Sequence, residues 1–402
     1  MHLGSEIIGR MCKMIMEKIL NMSIIKTVGY VCMALSCSSC HMVSTGTMIY
    51  DYKNEQVVDF QPTPLLPGRY REVIIHASPM HSCFFTMQPV YVGESKYSLI
   101  RKKDYAGKTQ ASYMVECGVY PSADHFDISP DCARLFICGA RLHDETVFSG
   151  WCDLPELLHD DKIQPKNISS ILGEKLSIDT HVLQKKNCLF LSSDVMLCIL
   201  TQNNDDIGEM ANAGDAENIS TFYLSIINFE TNKYNIIKEF RQINDVSSAR
   251  PITTYDVILK ANEDGLAAIL IGSKLHLYNY KDNKFEESIA IDELPKEPFP
   301  WIYPSFSWIS NDTLLFWKKH DDEGHYITYN IHTHEKTTGK IGSSISVCLH
   351  SSIVLIFNEI EKKREFKNLS TGEHIRYPSS AGSRIYEVFW LKEGLLGFNC
   401  DY

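Results

Sequence analysis

Along the downstream half of the chain, short apolar or alternating runs are separated by polar turns of two to six residues. Alternation of that kind with close turns predicts antiparallel hairpins rather than βαβ units. Four strands are predicted in succession over 305–309, 313–318, 325–331 and 337–341, with turns at Asn311-Asp312, 320–324 and 333–336. The next stretch repeats the plan over 344–349, 353–358, 364–368 and 374–377, its last two strands joined by Ser370-Thr371-Gly372-Glu373. The preceding stretch has it over 256–260, 266–271, 274–280 and 285–291, with Lys281-Asp282-Asn283-Lys284 as its last turn. Consecutive four-stranded modules are the pattern of a radial β-repeat.

The tripeptide Tyr-Pro-Ser occurs at 120–122, 303–305 and 377–379, each time where one module gives way to the next. The last two copies begin 74 residues apart, which fits two periods of a roughly 40-residue blade. First strands are placed near Val73, Phe126, Leu189, Val257, Phe306, Ile345 and Val388. The seventh module is short of strands: after 387–391 and 395–398 the sequence stops, while 47–52 and 57–60 form a hairpin with no other partner. Joining the two pairs closes a ring and removes the exposed edges an open sheet must otherwise protect. The predicted fold is therefore an all-β β-propeller of seven four-stranded blades over 47–402. Six or eight blades stay open as alternatives, because 71–117 and 140–188 do not parse cleanly.

Residues 125–138 contain Ser129-Pro130-Asp131-Cys132 between two apolar runs, with weaker echoes at Ser192-Ser193-Asp194 and Ser310-Asn311-Asp312. The serine and aspartate oxygens can accept turn amides, and proline fixes φ for the bend. This strand, Ser-Pro-Asp-Gly turn, strand signature resembles the blades of TolB-like propellers, with Cys132 standing where glycine is usual. The resemblance implies a β-propeller of the bacterial envelope.

The formal charge is −11, so the chain lacks the basic excess that a phosphate-backbone partner requires, and nucleic acid is set aside. Nine cysteines follow Cys40 without paired spacing. They read as small buried apolar residues rather than a disulfide framework.

Near the N-terminus, Lys26 precedes an apolar run over 27–35 and then Ser36-Cys37-Ser38-Ser39-Cys40. A positive residue, a brief apolar stretch and small residues before a cysteine form an export signal that ends in lipidation. The run is shorter than the roughly 20 apolar residues that span a bilayer. Residues 1–36 are therefore expected to be leader and lipoprotein signal, with translation starting at Met22, and 37–46 a tether. Lipid is expected on Cys37, with Cys40 as the alternative, which places the protein on the outer membrane or cell surface of a bacterial envelope.

Binding is expected where the loops between blades and the second-to-third strand loops share a face. The richest connection, 293–305, carries Phe299, Trp301 and Tyr303 among Pro295, Pro298, Pro300 and Pro304. Proline stiffens such a loop, and aromatic planes can stack on sugars or apolar side chains. The acids of 203–218 lack the alternating oxygen ligands of calcium loops, and His320, Asp321, Asp322, His325, His332 and His334 fall on hairpin turns. No metal or cofactor is expected.

Catalytic motifs fail one by one. There is no Gly-x-Ser-x-Gly elbow, Gly107-Lys108-Thr109 lacks the first P-loop glycine, and the Asp-box-like run 310–317 has Leu314 at its glycine position. The expected function is non-catalytic binding of an envelope protein or glycan. The alternative is a propeller-fold hydrolase or lyase acting on an extracytoplasmic glycan at the central channel.

Overall fold

The computed structural model describes residues 45–401 except 64–71, 93–94, 118–124, 142–146, 156–161, 174–175, 178–186, 203–218, 244–256, 263, 272–273, 287–288, 291–304, 321–322, 343–345, 348–351, 359–362 and 379–384. Seven sheets, antiparallel but for one added edge strand, form a seven-bladed β-propeller. From the first strand outward, blade 1 is Val73–Ser78, Cys83–Val92, Ser95–Asp104 and Thr109–Val115. Blade 2 is Phe126–Ile128, Arg134–Arg141, Val147–Asp153 and Lys166–Asn167. Blade 3 is Cys188–Phe190, Val195–Gln202, Ile219–Asn228 and Lys233–Ile243. Blade 4 is Val257–Ala261, Leu266–Ile271, Lys274–Asn279 and Lys284–Phe285. Blade 5 is Ser305–Trp308, Thr313–His320, Glu323–Asn330 and Lys336–Gly342. Blade 6 is Ser346–Val347, Ile353–Asn358, Lys363–Asn368 and His374–Ile375.

Blade 7 closes the ring as the sequence predicts. Ile385–Lys392 and Leu395–Asp401 come from one end of the chain, and Thr45–Asp51 and Gln56–Thr63 from the other. Thr45–Asp51 runs antiparallel to Leu395–Asp401 in unbroken register, from Thr45 opposite Asp401 to Asp51 opposite Leu395. Asn399, buried in this blade, bonds both backbone groups of Ile74 in blade 1: the Ile74 N–H donates to Asn399 Oδ1 at 2.7 Å, and Asn399 Nδ2 donates to the Ile74 carbonyl at 2.9 Å.

The core lies between blades. Each of the seven blade-to-blade seams has its own cluster of buried side chains. Phe85, Ile100 and Leu135 are in the seam between blades 1 and 2, for example, and Ile49, Ile74 and Phe389 are in that between 7 and 1. A second strand is thus covered on both faces, which is why Leu266–Ile271 reads as an unbroken apolar run and is buried throughout. Outer strands meet water along one edge, and the polar start of Lys336–Gly342 is exposed accordingly.

A second repeat organises the third-to-fourth strand hairpins. Six of them begin with Asp51, Asp104, Asn228, Asn279, Asn330 or Asn368, whose side-chain oxygen accepts backbone N–H groups two to four residues on. Four residues after five of these, at Glu55, Asn232, Asn283, His334 and Gly372, the backbone enters the left-handed region. An Asx turn followed by one left-handed residue reverses the chain within a tight hairpin.

Part of 140–188, which resisted parsing, serves as a strap. Lys162–Ile163 adds a parallel strand to blade 1 against Met114 and Val115, and Lys166–Asn167 then returns to blade 2. The short helix Ser169–Leu172 follows, and Leu176–Ser177 pairs with the end of Val195–Gln202 in blade 3. One segment therefore touches three successive blades.

Candidate functional site

First strands deliver their last residues to one mouth of the central channel, where a cavity of about 300 Å³ opens. That volume is at the lower end of the range for small-ligand sites. Blades 1, 2, 3, 4, 5 and 7 all contribute to it. The Ser129-Pro130-Asp131 turn stands on its rim: Ser129 Oγ donates to Asp131 Oδ1 at 2.7 Å, and Arg134 N–H donates back to Ser129 Oγ at 2.8 Å. Cys132 adopts φ +63°, the conformation for which glycine is usual. Burial alone would raise the Asp131 carboxyl, but bonds from Ser193, Ser129 and the Ala133 amide hold it below the ordinary range. At the echo in blade 5, Ser310 Oγ donates to Asp312 at 2.6 Å.

The polar groups in the cavity are few and tied to the walls. His76 Nδ1 stands 3.7 Å from Asp127 Oδ1, and Phe190 N–H approaches Asp127 Oδ2 at 3.5 Å, so one carboxylate joins blades 1, 2 and 3. Asn262 Nδ2 donates to the Asn311 carbonyl at 2.6 Å and Asn262 Oδ1 accepts from Leu266 N–H, linking the first turns of blades 4 and 5. Trp308 is anchored by its Nε1–H to the Lys260 carbonyl at 3.1 Å.

Aromatic rings supply much of the remaining wall. Phe190, Tyr280, Trp308, Phe389 and Trp390 line the cavity. Trp390 and Tyr280 are partly exposed, and burial pushes the Tyr280 phenol up. Asp127 is the lining carboxylate, Lys260 the lining lysine, and no arginine lines the cavity among the described residues. Such a surface can enclose an apolar or planar group and orient it by a few fixed polar atoms. Among the described residues it has no converging carboxylates of the kind a two-acid glycosidase needs.

Phe299, Trp301 and Tyr303, expected from the sequence to bind, lie outside the described residues, as do Cys37, Cys40, Asp321, Asp322 and the acids of 203–218. Of the turn histidines, His332 is exposed, and His334 Nδ1 is bonded to the Tyr329 hydroxyl at 2.6 Å. Among the described residues no three His, Cys, Asp or Glu side chains are grouped to hold a metal ion. The cavity was missed because its residues come in short runs from six blades far apart in sequence. The signal that finds them is position: superimposing the predicted first strands brings Ser78, Ile128, Phe190, Ala261, Trp308 and Trp390 to or near the same point in each repeat.

No family model matches the sequence, and no curated protein matches it. Among solved structures the fold is distantly similar to an oligogalacturonate lyase in complex with manganese, with a TM-score of 0.46 and 12% identity over 83% of this chain and 90% of that one. It is similar in the same way to the WD40 domain of Toxoplasma gondii coronin, with a TM-score of 0.41 and 12% identity over 77% and 70%. The Dos1 propeller gives 0.44 and 11% identity over 90% and 93%.

Proposed function

We propose that this protein is a lipid-anchored, TolB-like propeller of the bacterial envelope that binds a protein or glycan partner without transforming it. The observation that supports binding is the composition of the cavity: five aromatic rings around one carboxylate, one lysine, one histidine and one asparagine. Aromatic walls supply contact area at little conformational cost, and buried rings of this kind dominate the energetics of recognition. The hydrolase or lyase alternative draws on His76 and Asp127, an imidazole beside a buried carboxylate that is suited to proton transfer.

Anchoring rests on the sequence of 26–40. Among the described residues no helix is long and apolar enough to cross a membrane, and acyl chains on a cysteine give membrane affinity without a spanning segment. Mass spectrometry of the native N-terminal peptide should find acyl chains on Cys37 or Cys40. An unmodified peptide beginning at or beyond His41 contradicts the anchor.

For the binding reading, Trp390→Ala should lower partner capture by the intact protein about tenfold, corresponding to about 1.4 kcal/mol, while the far-ultraviolet spectrum of the folded chain stays unchanged. Undiminished capture removes the cavity from the binding surface. If capture persists but a glycan is cleaved, and His76→Ala abolishes the cleavage, the enzyme alternative replaces the binding one.

A further inference from the structure

Eight described cysteines are buried and form no disulfide, and seven of them fall in blades 1 to 3. Two differ from the rest in placement. Cys83 opens the second strand of blade 1, opposite Ser78 in the register. Cys132 ends the Ser129-Pro130-Asp131 turn of blade 2, and its Sγ lies 3.3 Å from Ser78 Oγ. Both cysteines therefore lie against Ser78, within the one buried cluster that fills the seam between blades 1 and 2. Cys132 holds φ +63°, a backbone that disfavours any Cβ.

The pair stands directly behind the cavity wall. Ser78, Pro79 and Met80 on one side and Pro130 on the other line the opening, and Met80 is 80% exposed. Ser78, which lines the mouth, is the residue both cysteines pack against. Their acidities are also divided. The neighbouring Cys83 thiol, Ser78 and the nearby Lys102 charge hold the Cys132 thiol below its ordinary range, whereas the Cys132 sulfur and burial push Cys83 up.

We propose that Cys83 and Cys132 are a redox pair that closes into a disulfide between blades 1 and 2 when the folded chain meets a small-molecule disulfide. The Cys132 thiolate attacks one sulfur of the incoming disulfide, forming a mixed disulfide and releasing the first thiolate. Cys83 then passes its proton to that released thiolate and attacks Cys132 Sγ, releasing the second. The two cysteines lose two electrons in total, and the incoming disulfide is reduced to two thiols. The product ties the turn after Val73–Ser78 to the turn after Phe126–Ile128, two neighbouring parts of the cavity rim. This inference does not depend on the proposed partner or membrane anchor.

The test uses the full reduced chain, folded, with oxidised glutathione as the probe, followed by trapping with N-ethylmaleimide and tryptic mapping. Cys83 lies in the tryptic peptide 72–96, and Cys132 shares 109–134 with Cys117, so fragmentation must assign the linked residue. The expected product is a Cys83–Cys132 cross-link two hydrogens lighter than the separate peptides. Cys83→Ser should stop the reaction at glutathione on Cys132. A link from Cys83 to Cys117 overturns the proposal. So does a wild-type chain whose two thiols react only after unfolding in urea, a result that needs no variant to fold.

Discussion

Deleting residues 45–63 should abolish the cooperative unfolding transition of the propeller, or lower its thermal midpoint by more than 10 °C as an order-of-magnitude expectation. The deletion strips Thr45–Asp51 and Gln56–Thr63 from blade 7 and leaves Leu395–Asp401 as a bare edge. It also removes Met48, Ile49 and Tyr50, which are at most 2% exposed and fill the seams to blades 6 and 1. Buried side chains of this size are worth about 2–5 kcal/mol each, so their combined loss approaches the roughly 5–15 kcal/mol that holds a domain together. The Tyr50 hydroxyl bond to the Arg376 carbonyl at 3.2 Å goes with them. A synthetic 45–63 peptide added in trans should restore stability in a concentration-dependent way. A deletion variant with the wild-type midpoint places the hairpin outside the ring.

A comparable loss is expected from one lysine. Lys103 in blade 1 is 3% exposed and its ammonium stands 2.8 Å from Glu72 Oε1, while Arg101 reaches Glu72 Oε2 at 3.2 Å and Thr86 donates to the same carboxylate. Arg101 and Lys103 lie opposite Thr86 and Phe84 in the register, on the face turned to blade 7. Lys103→Met removes the closest positive partner of a buried carboxylate and should cost about 3–5 kcal/mol in chemical denaturation. Adding Glu72→Leu should recover much of that loss, because replacing both charges is far less costly than orphaning one.

The pH dependence follows from the same group. Burial raises the Glu72 carboxyl, but Lys103, Thr86 and Arg101 outweigh it and hold the group below its ordinary value. A depressed folded-state value contributes stability above the unfolded carboxylate range and loses it as pH falls through the folded value. Wild-type stability should therefore decline on acidification below the usual carboxylate range, and Lys103→Met should show a smaller decline. Identical acid profiles for the two proteins contradict the role assigned to this pair.

Most of the architecture was legible because a blade strand is long enough to show its pattern. The starts placed near Val73, Phe126, Leu189, Val257, Phe306 and Val388 all fall within first strands, and Ile345 immediately precedes Ser346–Val347. Closure was legible from arithmetic, since an incomplete module and a spare hairpin each needed what the other had. Lys162–Ile163 and Lys166–Asn167 were not legible, because two residues carry no periodicity. The Asx repeat was readable in principle from Asn279, Asn330 and Asn368, each followed four residues later by Asn283, His334 or Gly372. It was hidden by the variety of side chains that tolerate the left-handed position. The cavity was least legible: His76, Asp127, Lys260 and Trp390 are unremarkable in their own strands and acquire meaning only when six strand ends converge.

The central claim, that this channel mouth is a recognition surface, is tested most directly by a photo-crosslinking residue introduced at Met80, the cavity-lining side chain that is 80% exposed. Illumination of cells carrying the intact protein should give one discrete adduct with an envelope protein or glycan, and Trp390→Ala should suppress it. The same crosslinker at Tyr234, on the outer strand of blade 3 and 36% exposed, should give none. No adduct at 80, or equal adducts at 80 and 234, would contradict the claim.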